Sequence, residues 1–256
     1  LFGNALPRLR SLLKESRKAR RQKRRNQERQ SRKRNQFNMG HKVHPIAHRM
    51  QVIYSWDSRW FSRSNTYRKK LAEEVLVRDY LQKKFKEAGV DHIVFERSPR
   101  EMIVTMFVAK PGLVIGRGGQ GAEEVRKLLN TRLMKSGVRL RLNVQEIKNP
   151  ALSAAVVLAQ IATDLEKRIP FRRVMKQTIA RVMKAGAQGA KIVLAGRLNG
   201  AEIARREKLA QGKLPLQTFR SDVSYANGFA HTIFGSVGIK VWIYKGEIFR
   251  RADLDE

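Results

Sequence analysis

The chain has 256 residues, of which 54 are Lys or Arg and 22 are Asp or Glu, so its formal net charge is +32. A surplus of this size exceeds what solubility requires and predicts a polyanionic partner, either a nucleic acid or an anionic membrane surface. The sequence contains no cysteine, which excludes disulfides, thiolate metal sites and cysteine nucleophiles. The longest apolar run, residues 151–162, is about half of a bilayer span and predicts a buried helix.

The charge is concentrated at the start of the chain. Residues 1–38 hold 14 basic and 2 acidic residues, and the stretch 17–34 is almost entirely polar or basic. Such a segment cannot bury enough apolar surface to fold alone, so residues 1–38 are predicted to be a basic disordered extension. An Arg-rich, acid-poor start is also typical of an organellar transit peptide, and Met39 is an alternative first residue. The sequence leaves open whether this extension is translated, cleaved or ordered on RNA.

Hydrophobic periodicity predicts a first folded unit between about Tyr67 and Ile147. In chain order, the expected elements are a helix over 68–88, strands at 93–95 and 102–108, a glycine-rich segment at 112–121, a helix over 121–136 and a strand over 138–146. The glycine-rich segment would thus lie between two helices.

A second unit is predicted after Asn149–Pro150. It consists of a helix that ends before Pro170, a helix over 171–185 and strands at about 190–197, 214–225, 229–236 and 237–245. Two helices on a four-stranded sheet form an α+β domain.

The segment Gly116–Gly121 can be interpreted in three ways. It matches the dinucleotide-binding pattern G-x-G-x-x-G, but that pattern should lead directly from a strand into a helix and be followed by a ribose-binding acid. It also contains G-x-x-G (Gly116, Arg117, Gly118 and Gly119), which a KH domain uses to hold the backbone of single-stranded nucleic acid. The third interpretation is a plain tight turn. The predicted α-β-β-α-α-β order around the loop favours the KH interpretation.

The helix predicted over 171–185 separates charge from apolar side chains. At about 100° per residue, Arg172, Arg173, Lys176 and Lys184 share one face, and the apolar residues lie opposite. A charged face is often only solvated, but residues 171–185 contain no acid to balance these cations. Because guanidinium groups suit bidentate phosphate contacts, this face is predicted to bind nucleic acid.

Five ordered motifs extend the pattern beyond composition. They are Met39–Pro45, Gly112–Gly116, Phe171–Lys176, Gly196–Arg205 and Gly238–Glu247. Together they closely resemble the bacterial-type small-subunit ribosomal protein S three family over residues 39–249.

The resemblance implies a type II KH domain (α-β-β-α-α-β) followed by a two-helix, four-stranded α+β domain. The implied division of the chain is an extension at 1–38, an rRNA-contacting segment at 39–66, the KH domain at 67–148, the carboxy-terminal domain at 149–249 and a short tail at 250–256. It further implies a structural, non-enzymatic protein of the small-subunit head, with no cofactor and no metal. The expected location is the cytoplasmic ribosome, or an organellar one.

The implied partners are small-subunit (16S-type) rRNA, mRNA at its entry channel, proteins S ten and S fourteen, and proteins S four and S five near that entry. The residues matching the family's mRNA-facing positions, which support unwinding of the message, are Arg172, Arg173 and Lys176. Contacts with rRNA are expected from Lys42, His44, Arg197 and Arg205, and RNA binding from the KH loop, Gly116, Arg117, Gly118 and Gly119.

The chain also departs from the family pattern. Residues 1–38 precede the family's usual start and inherit no role, His41 stands for a usual Gln, and Asn199 for a usual Gly. The loop has Arg117–Gly118 where two lysines are common, which predicts a weaker contribution to RNA binding.

Three other functions find weaker support in the sequence. His41, His44 and His48 could present a metal from a helix, but Pro45 interrupts that helix and no nearby carboxylate completes a site. A free-standing KH regulator of mRNA would explain the loop and the charge equally well. A membrane-surface protein rests only on residues 1–38.

Overall fold

The computed structural model describes residues 43–249 except 99 and 134–137. These residues form six α-helices and eight strands arranged in two four-stranded sheets, which confirms the α+β prediction. None of the described helices combines the length and the apolar composition needed to cross a bilayer. The predictions for the extension 1–38 and the tail 250–256 concern residues outside the described ranges.

The first half of the chain contains the predicted α-β-β-α-α-β series. Its elements are α1 Pro45–His48, β1 Ser58–Arg59, α2 Ser64–Lys84, β2 Val90–Arg97, β3 Glu101–Val108, α3 Pro111–Ile115, α4 Gln120–Leu128 and β4 Arg139–Glu146. The series itself runs from α2 to β4. Helix α2 begins four residues earlier than predicted, and the two-residue strand β1 was not predicted. Helix α4 continues as a π-helical turn, Leu129–Leu133.

The first sheet has the strand order β1-β2-β3-β4. Strands β2 and β3 pair antiparallel, whereas β3 and β4 pair parallel over their full length. Every second residue of β3 is fully buried, namely Met102, Val104, Met106 and Val108. Because successive side chains of a strand point to opposite faces, this alternation directs one face of the sheet into a core that includes residues of α2, α3 and α4.

The second half contains two helices and the second sheet. Its elements are α5 Ala154–Glu166, α6 Phe171–Lys184, β5 Gly189–Gly196, β6 Arg205–Gly212, β7 Ser221–Thr232 and β8 Gly235–Glu247. The sheet is antiparallel, in the order β6-β5-β8-β7. One sheet face and the apolar sides of α5 and α6 form a second core.

Two of the four strands predicted for the second sheet were placed wrongly. Residues 214–225 were expected to form one strand and 229–236 the next, but the strands are β6 and β7, and residues 213–220 connect them. Strand β6 lies at the sheet edge, and most of its side chains are exposed, so its sequence lacks the apolar alternation used for the prediction. The predicted strands 190–197 and 237–245 correspond to β5 and β8.

Arg49 joins the segment after α1 to the second half of the chain. This side chain is fully buried and donates hydrogen bonds to the carbonyl oxygens of Pro215, Leu216 and Thr218, each at 3.0 Å. It also donates to Ser221 Oγ at 2.8 Å. The connection 213–220 is therefore shaped by a buried cation, not by strand pairing.

The N-terminus of α5 is tied to the first sheet. Ser153 caps this helix by accepting a hydrogen bond from Val156 N at 3.3 Å, and its hydroxyl donates to Asp91 on β2. Burial raises the pKa of Asp91, but the hydrogen bonds from His92 and Ser153 and the nearby charge of Lys245 together lower it by more. The net pKa therefore lies below its ordinary value. The ionised carboxylate is the form that this contact stabilises.

Candidate nucleic-acid interface

The glycine loop lies between α3 and α4, as the sequence predicts. Gly116 ends α3 with φ 71° and ψ −177°, a combination that is accessible to glycine almost alone. A Cβ atom at Gly116 would lie 3.1 Å from the amide nitrogen of Gly121, so the position also lacks room for a side chain. This glycine is required by the turn itself.

The next residues form an exposed turn over Arg117–Gly119. Gly118 and Gly119 have φ values of +59° and +81°, and a Cβ atom on either would meet nothing within 4 Å. The open space leaves the main chain accessible to a ligand. Gly119 is the N-cap of α4, and no side chain competes with an anion for the start of this helix, although the amide of Gln120 already donates to the carbonyl oxygen of Arg117.

The structure does not support the dinucleotide interpretation of this loop. Helix α3 separates β3 from the glycines, whereas the fingerprint needs a direct turn from a strand into a helix. The following strand, β4, carries Arg139 and Arg141 where the acidic ribose ligand would be expected.

Helix α6 has the amphipathic arrangement predicted for it. Val174, Met175, Thr178, Ile179 and Val182 are all buried. Arg172, Arg173 and Lys176 are exposed on the other side. The buried face fixes the direction in which the three cations point.

These cations lie where helix electrostatics disfavours them. Pro170 is the N-cap, and the first turn of α6 contains no acidic residue. The amide groups of a helix N-terminus carry partial positive charge, so Arg172 and Arg173 in this turn repel it. Helix stability therefore does not explain the two arginines, whereas an external anion at this end of α6 would.

A groove connects the start of α6 with the β5–β6 connection. It has a volume of about 460 Å³ and is lined by Phe171, Arg172, Leu198, Asn199, Arg205 and Glu207, among others. The structure thus brings together Arg172 and Arg205, which were predicted to contact mRNA and rRNA respectively. Arg205 is exposed, with Glu207 two residues away along β6.

Arg197 has a partly structural role. Its Nε donates a hydrogen bond to the carbonyl oxygen of Ala201 at 2.9 Å, and its guanidinium lies 5.9 Å from the centre of the Phe234 ring. Within the turn that it closes, Asn199 has a positive φ of 56°, a conformation that the usual family glycine would also adopt. The guanidinium keeps other donors for an RNA contact.

The remaining predicted residues are less informative. His44 is exposed, whereas Lys42 and His41 lie outside the described residues. Within the described ranges, no group of three or more His, Asp or Glu side chains could hold a metal. Arg168 was missed by the sequence reasoning although it lines a neighbouring groove of about 350 Å³ with Arg197. The basic pair 167–168 directly before α6 was the available signal.

Comparison with known proteins assigns both halves of the chain. Residues 76–152 match the model of the KH domain, and residues 161–243 match that of the ribosomal protein S3 C-terminal domain. The KH interpretation of the glycine loop is thereby confirmed as a fold assignment.

Full-length relatives cover most of the chain. The small ribosomal subunit protein uS3 of Carboxydothermus hydrogenoformans is 45% identical over 210 residues, which cover 82% of this chain and 93% of the relative. The proteins of the same name from Caldicellulosiruptor saccharolyticus and Salinibacter ruber are each 44% identical, covering 82% and 84% of this chain and 94% and 90% of those relatives. The members of this family are ribosomal proteins, which agrees with the expectation that the chain is not an enzyme. The chain belongs to the small ribosomal subunit protein uS3 family.

Proposed function

We propose that this protein is a structural component of the small ribosomal subunit that binds rRNA and holds mRNA at its entry channel. The family places its relatives in that subunit. A net charge of +32 is suited to a permanent RNA partner, because each phosphate contact releases condensed counterions. The proposed domain division is the one predicted from the sequence, with the KH domain at 67–148 and the second domain at 149–249.

The basic turn of α6 carries the mRNA part of the proposal. Arg172, Arg173 and Lys176 are exposed, have no acid in their helical turn and are oriented by a buried apolar face. The three cations would contact phosphates of the message, and such contacts position the RNA without reading its bases. A backbone grip of this kind lets the message slide and resists the re-pairing of strands that have separated.

The KH loop supplies a second proposed contact. Open space at Gly118 and Gly119 and the uncapped start of α4 support the binding of an RNA backbone there. Arg117 adds one exposed cation to this loop. For rRNA, we propose Lys42, His44, Arg197 and Arg205 as contacts.

Proteins S ten and S fourteen are proposed as neighbours in the subunit head, with S four and S five near the mRNA entry. Exposed apolar side chains next to the Arg197 turn support contact with protein. Ile203, Ile233 and Phe234 are 78%, 74% and 50% exposed, which is unusual for large apolar residues unless a partner covers them.

The mRNA role is tested by replacing Arg172, Arg173 and Lys176 with Ala together. Subunits containing this variant should assemble normally and translate an unstructured message at the parent rate. Translation through a message with a stable hairpin should be slower. The matched control is Arg68→Ala, Lys69→Ala and Lys83→Ala together, which removes the same charge from exposed residues of α2 and should leave both rates unchanged. Equal rates of the triple variant and the parent on the hairpin message would defeat the assignment.

A further inference from the structure

The second sheet has an outer face that helices α5 and α6 do not cover. Helices α5 and α6 pack against the face formed by residues such as Ile192, Ile239 and Val241. Residues at alternate positions therefore point the other way. The pairing register places twelve of them in three rows across the strands: Arg206, Ala195, Gly238 and Phe229; Lys208, Val193, Lys240 and Asn227; and Ala210, Lys191, Trp242 and Tyr225.

This outer face carries four cations and no acid. Arg206, Lys208 and Lys240 are exposed, and Lys191 lies with its Nζ 5.4 Å from the centre of the Trp242 ring. Among the twelve positions, which all belong to the described residues, none is Asp or Glu. The nearest acid on β6, Glu207, points to the opposite face, where it lines the α6 groove. The face is therefore complementary to a polyanion.

The same face presents aromatic rings. Trp242 and Tyr225 are cross-strand neighbours with ring centres 5.1 Å apart, and both are half-buried. Phe229 is 67% exposed, an unusual position for this side chain in the middle of a strand pair. Phe229 pairs with Gly238, which is four residues from Trp242 on β8. Phe229 and Trp242 are therefore separated by roughly 13 Å along the strand direction.

Small residues lie around Phe229. A Cβ atom on Gly238 would be 3.8 Å from the Phe229 ring, which shows that the ring lies over this glycine. Ala195, the partner of Gly238 on β5, is exposed. With only a methyl group at Ala195, a flat group can lie on the sheet beside the Phe229 ring.

We infer that the outer face of the second sheet, defined by the three rows above, binds an unpaired stretch of RNA by stacking two or three bases on Phe229 and Trp242. Lys208, Lys240 and Arg206 contact the phosphates. Sheets that combine central aromatic residues with flanking cations bind single strands in this way. The surface lies opposite the α6 cations, so this inference goes beyond the proposed mRNA grip and does not depend on it.

An acidic protein segment is the competing occupant of such a basic face. It would satisfy the four cations, but it would not need exposed aromatic rings with small residues beside them. The aromatic side chains therefore favour RNA, and the test must separate stacking from charge.

The test uses the full chain with Arg172, Arg173 and Lys176 replaced by Ala, so that α6 does not contribute to binding. The probe is a twelve-nucleotide oligouridylate titrated at several salt concentrations. In this background, Lys208→Glu with Lys240→Glu should weaken binding, and two lost phosphate contacts should make the salt dependence shallower by about 1.4 log units per tenfold salt. The control pair Lys69→Glu with Lys83→Glu makes the same charge change on exposed residues of α2 and should leave the slope unchanged.

Stacking is tested separately. Phe229→Ala should lower the affinity at least about fivefold, and Phe229→Trp should restore it. RNA should quench tryptophan fluorescence in the parent background, and Trp242→Phe should remove most of that quenching, although Trp56 and Trp60 remain. Circular dichroism of each variant shows whether the fold is kept, and Phe229→Trp remains informative if Phe229→Ala does not fold.

Three results would overturn the inference. The first is that the control pair on α2 weakens RNA binding as much as the pair on the sheet does, which would mean that only net charge matters. The second is quenching that persists in Trp242→Phe. The third is a combination of two results: RNA leaves the fluorescence of Trp242 unchanged, and polyglutamate displaces the bound oligouridylate. That combination would assign the face to an acidic protein.

Discussion

The two arginines in the first turn of α6 predict a conflict between stability and RNA binding. Arg172 and Arg173 occupy the second and third positions after the N-cap Pro170, where the helix end carries partial positive charge. Replacing both with Ala should therefore stabilise the protein while weakening its affinity for RNA. A purely solvated charged face predicts no such coupling.

The magnitude follows from two opposing effects. Each exposed cation at a helix N-terminus costs about 0.3–1 kcal/mol, so removing two gains about 0.6–2 kcal/mol. Arg172 also lies 5.7 Å from the centre of the Phe171 ring, and loss of an exposed cation–π contact costs about 0.5 kcal/mol. The net expectation is a gain of about 1 kcal/mol in the free energy of unfolding.

A matched pair exists at the other end of the helix. Arg181 and Lys184 lie in the last turn of α6, where cations interact favourably with the partial negative charge of the carbonyl groups. Arg181→Ala with Lys184→Ala removes the same charge and should lower the free energy of unfolding by about 0.6–2 kcal/mol. Urea denaturation of the three proteins measures both changes.

Binding of a single-stranded RNA is measured on the same proteins. The N-terminal pair should make the salt dependence of binding shallower by about 1.4, for two phosphate contacts, whereas the C-terminal pair, of which only Lys184 shares the basic face, should make it shallower by no more than about 0.7. The reasoning is refuted if the N-terminal variant is less stable than the parent, or if both pairs weaken RNA binding equally.

Three further predictions concern the loop, the buried arginine and acid stability. Gly116→Ala should lower the free energy of unfolding by about 1–3 kcal/mol in urea denaturation, because the backbone conformation at this position requires glycine. Gly118→Asp should keep the fold but weaken RNA binding about fivefold in a titration, because like charges about 4 Å apart in water repel by about 1 kcal/mol. Arg49→Met should cost about 3 kcal/mol or more in urea denaturation, because several partly buried carbonyl groups lose their shared donor at once. Because the pKa of Asp91 is lowered in the folded protein, its contribution to the free energy of unfolding is present above the unfolded pKa and is lost as pH falls through the folded pKa, below about pH 4. Asp91→Asn should therefore be less stable at pH 7, and its free energy of unfolding should fall less steeply than that of the parent between about pH 7 and pH 2.

Each of these predictions has a contradicting outcome. Equal stability of Gly116→Ala and the parent would mean that the turn does not need glycine, and unchanged RNA binding by Gly118→Asp would remove the loop from the interface. A loss below about 1 kcal/mol for Arg49→Met would show that water replaces its hydrogen bonds. Identical acid limbs for Asp91→Asn and the parent would show that this carboxylate contributes nothing to acid unfolding.

The helices and the glycine loop could be predicted because their signals are local. The spacing of apolar residues in α6 and the G-x-x-G sequence both act within a few residues, and the structure places both as expected. The basic face of α6 could also be predicted, because residues 171–185 contain no acid that would balance its cations. What the sequence did not show was that Arg172 and Arg205 line one groove, because that depends on the packing of α6 beside β6.

The errors in the second sheet have a non-local cause. Strand β6 is an edge strand with mostly exposed polar side chains, and it exists because its backbone pairs with β5 along its whole length. Residues 214–225 contain apolar side chains that suggested a strand, but Arg49, more than 160 residues earlier, binds the carbonyl groups of that connection. A buried arginine with backbone partners leaves no periodic pattern in the sequence.

The central claim is that this chain is an RNA-bound, stoichiometric component of the small ribosomal subunit. Quantitative mass spectrometry of small subunits separated on a sucrose gradient at high magnesium, compared with the ribosome-free fraction, tests it most directly. The account predicts about one copy per subunit and little in the ribosome-free fraction. A chain found mainly free of ribosomes, as a regulator of mRNA would be, would contradict it.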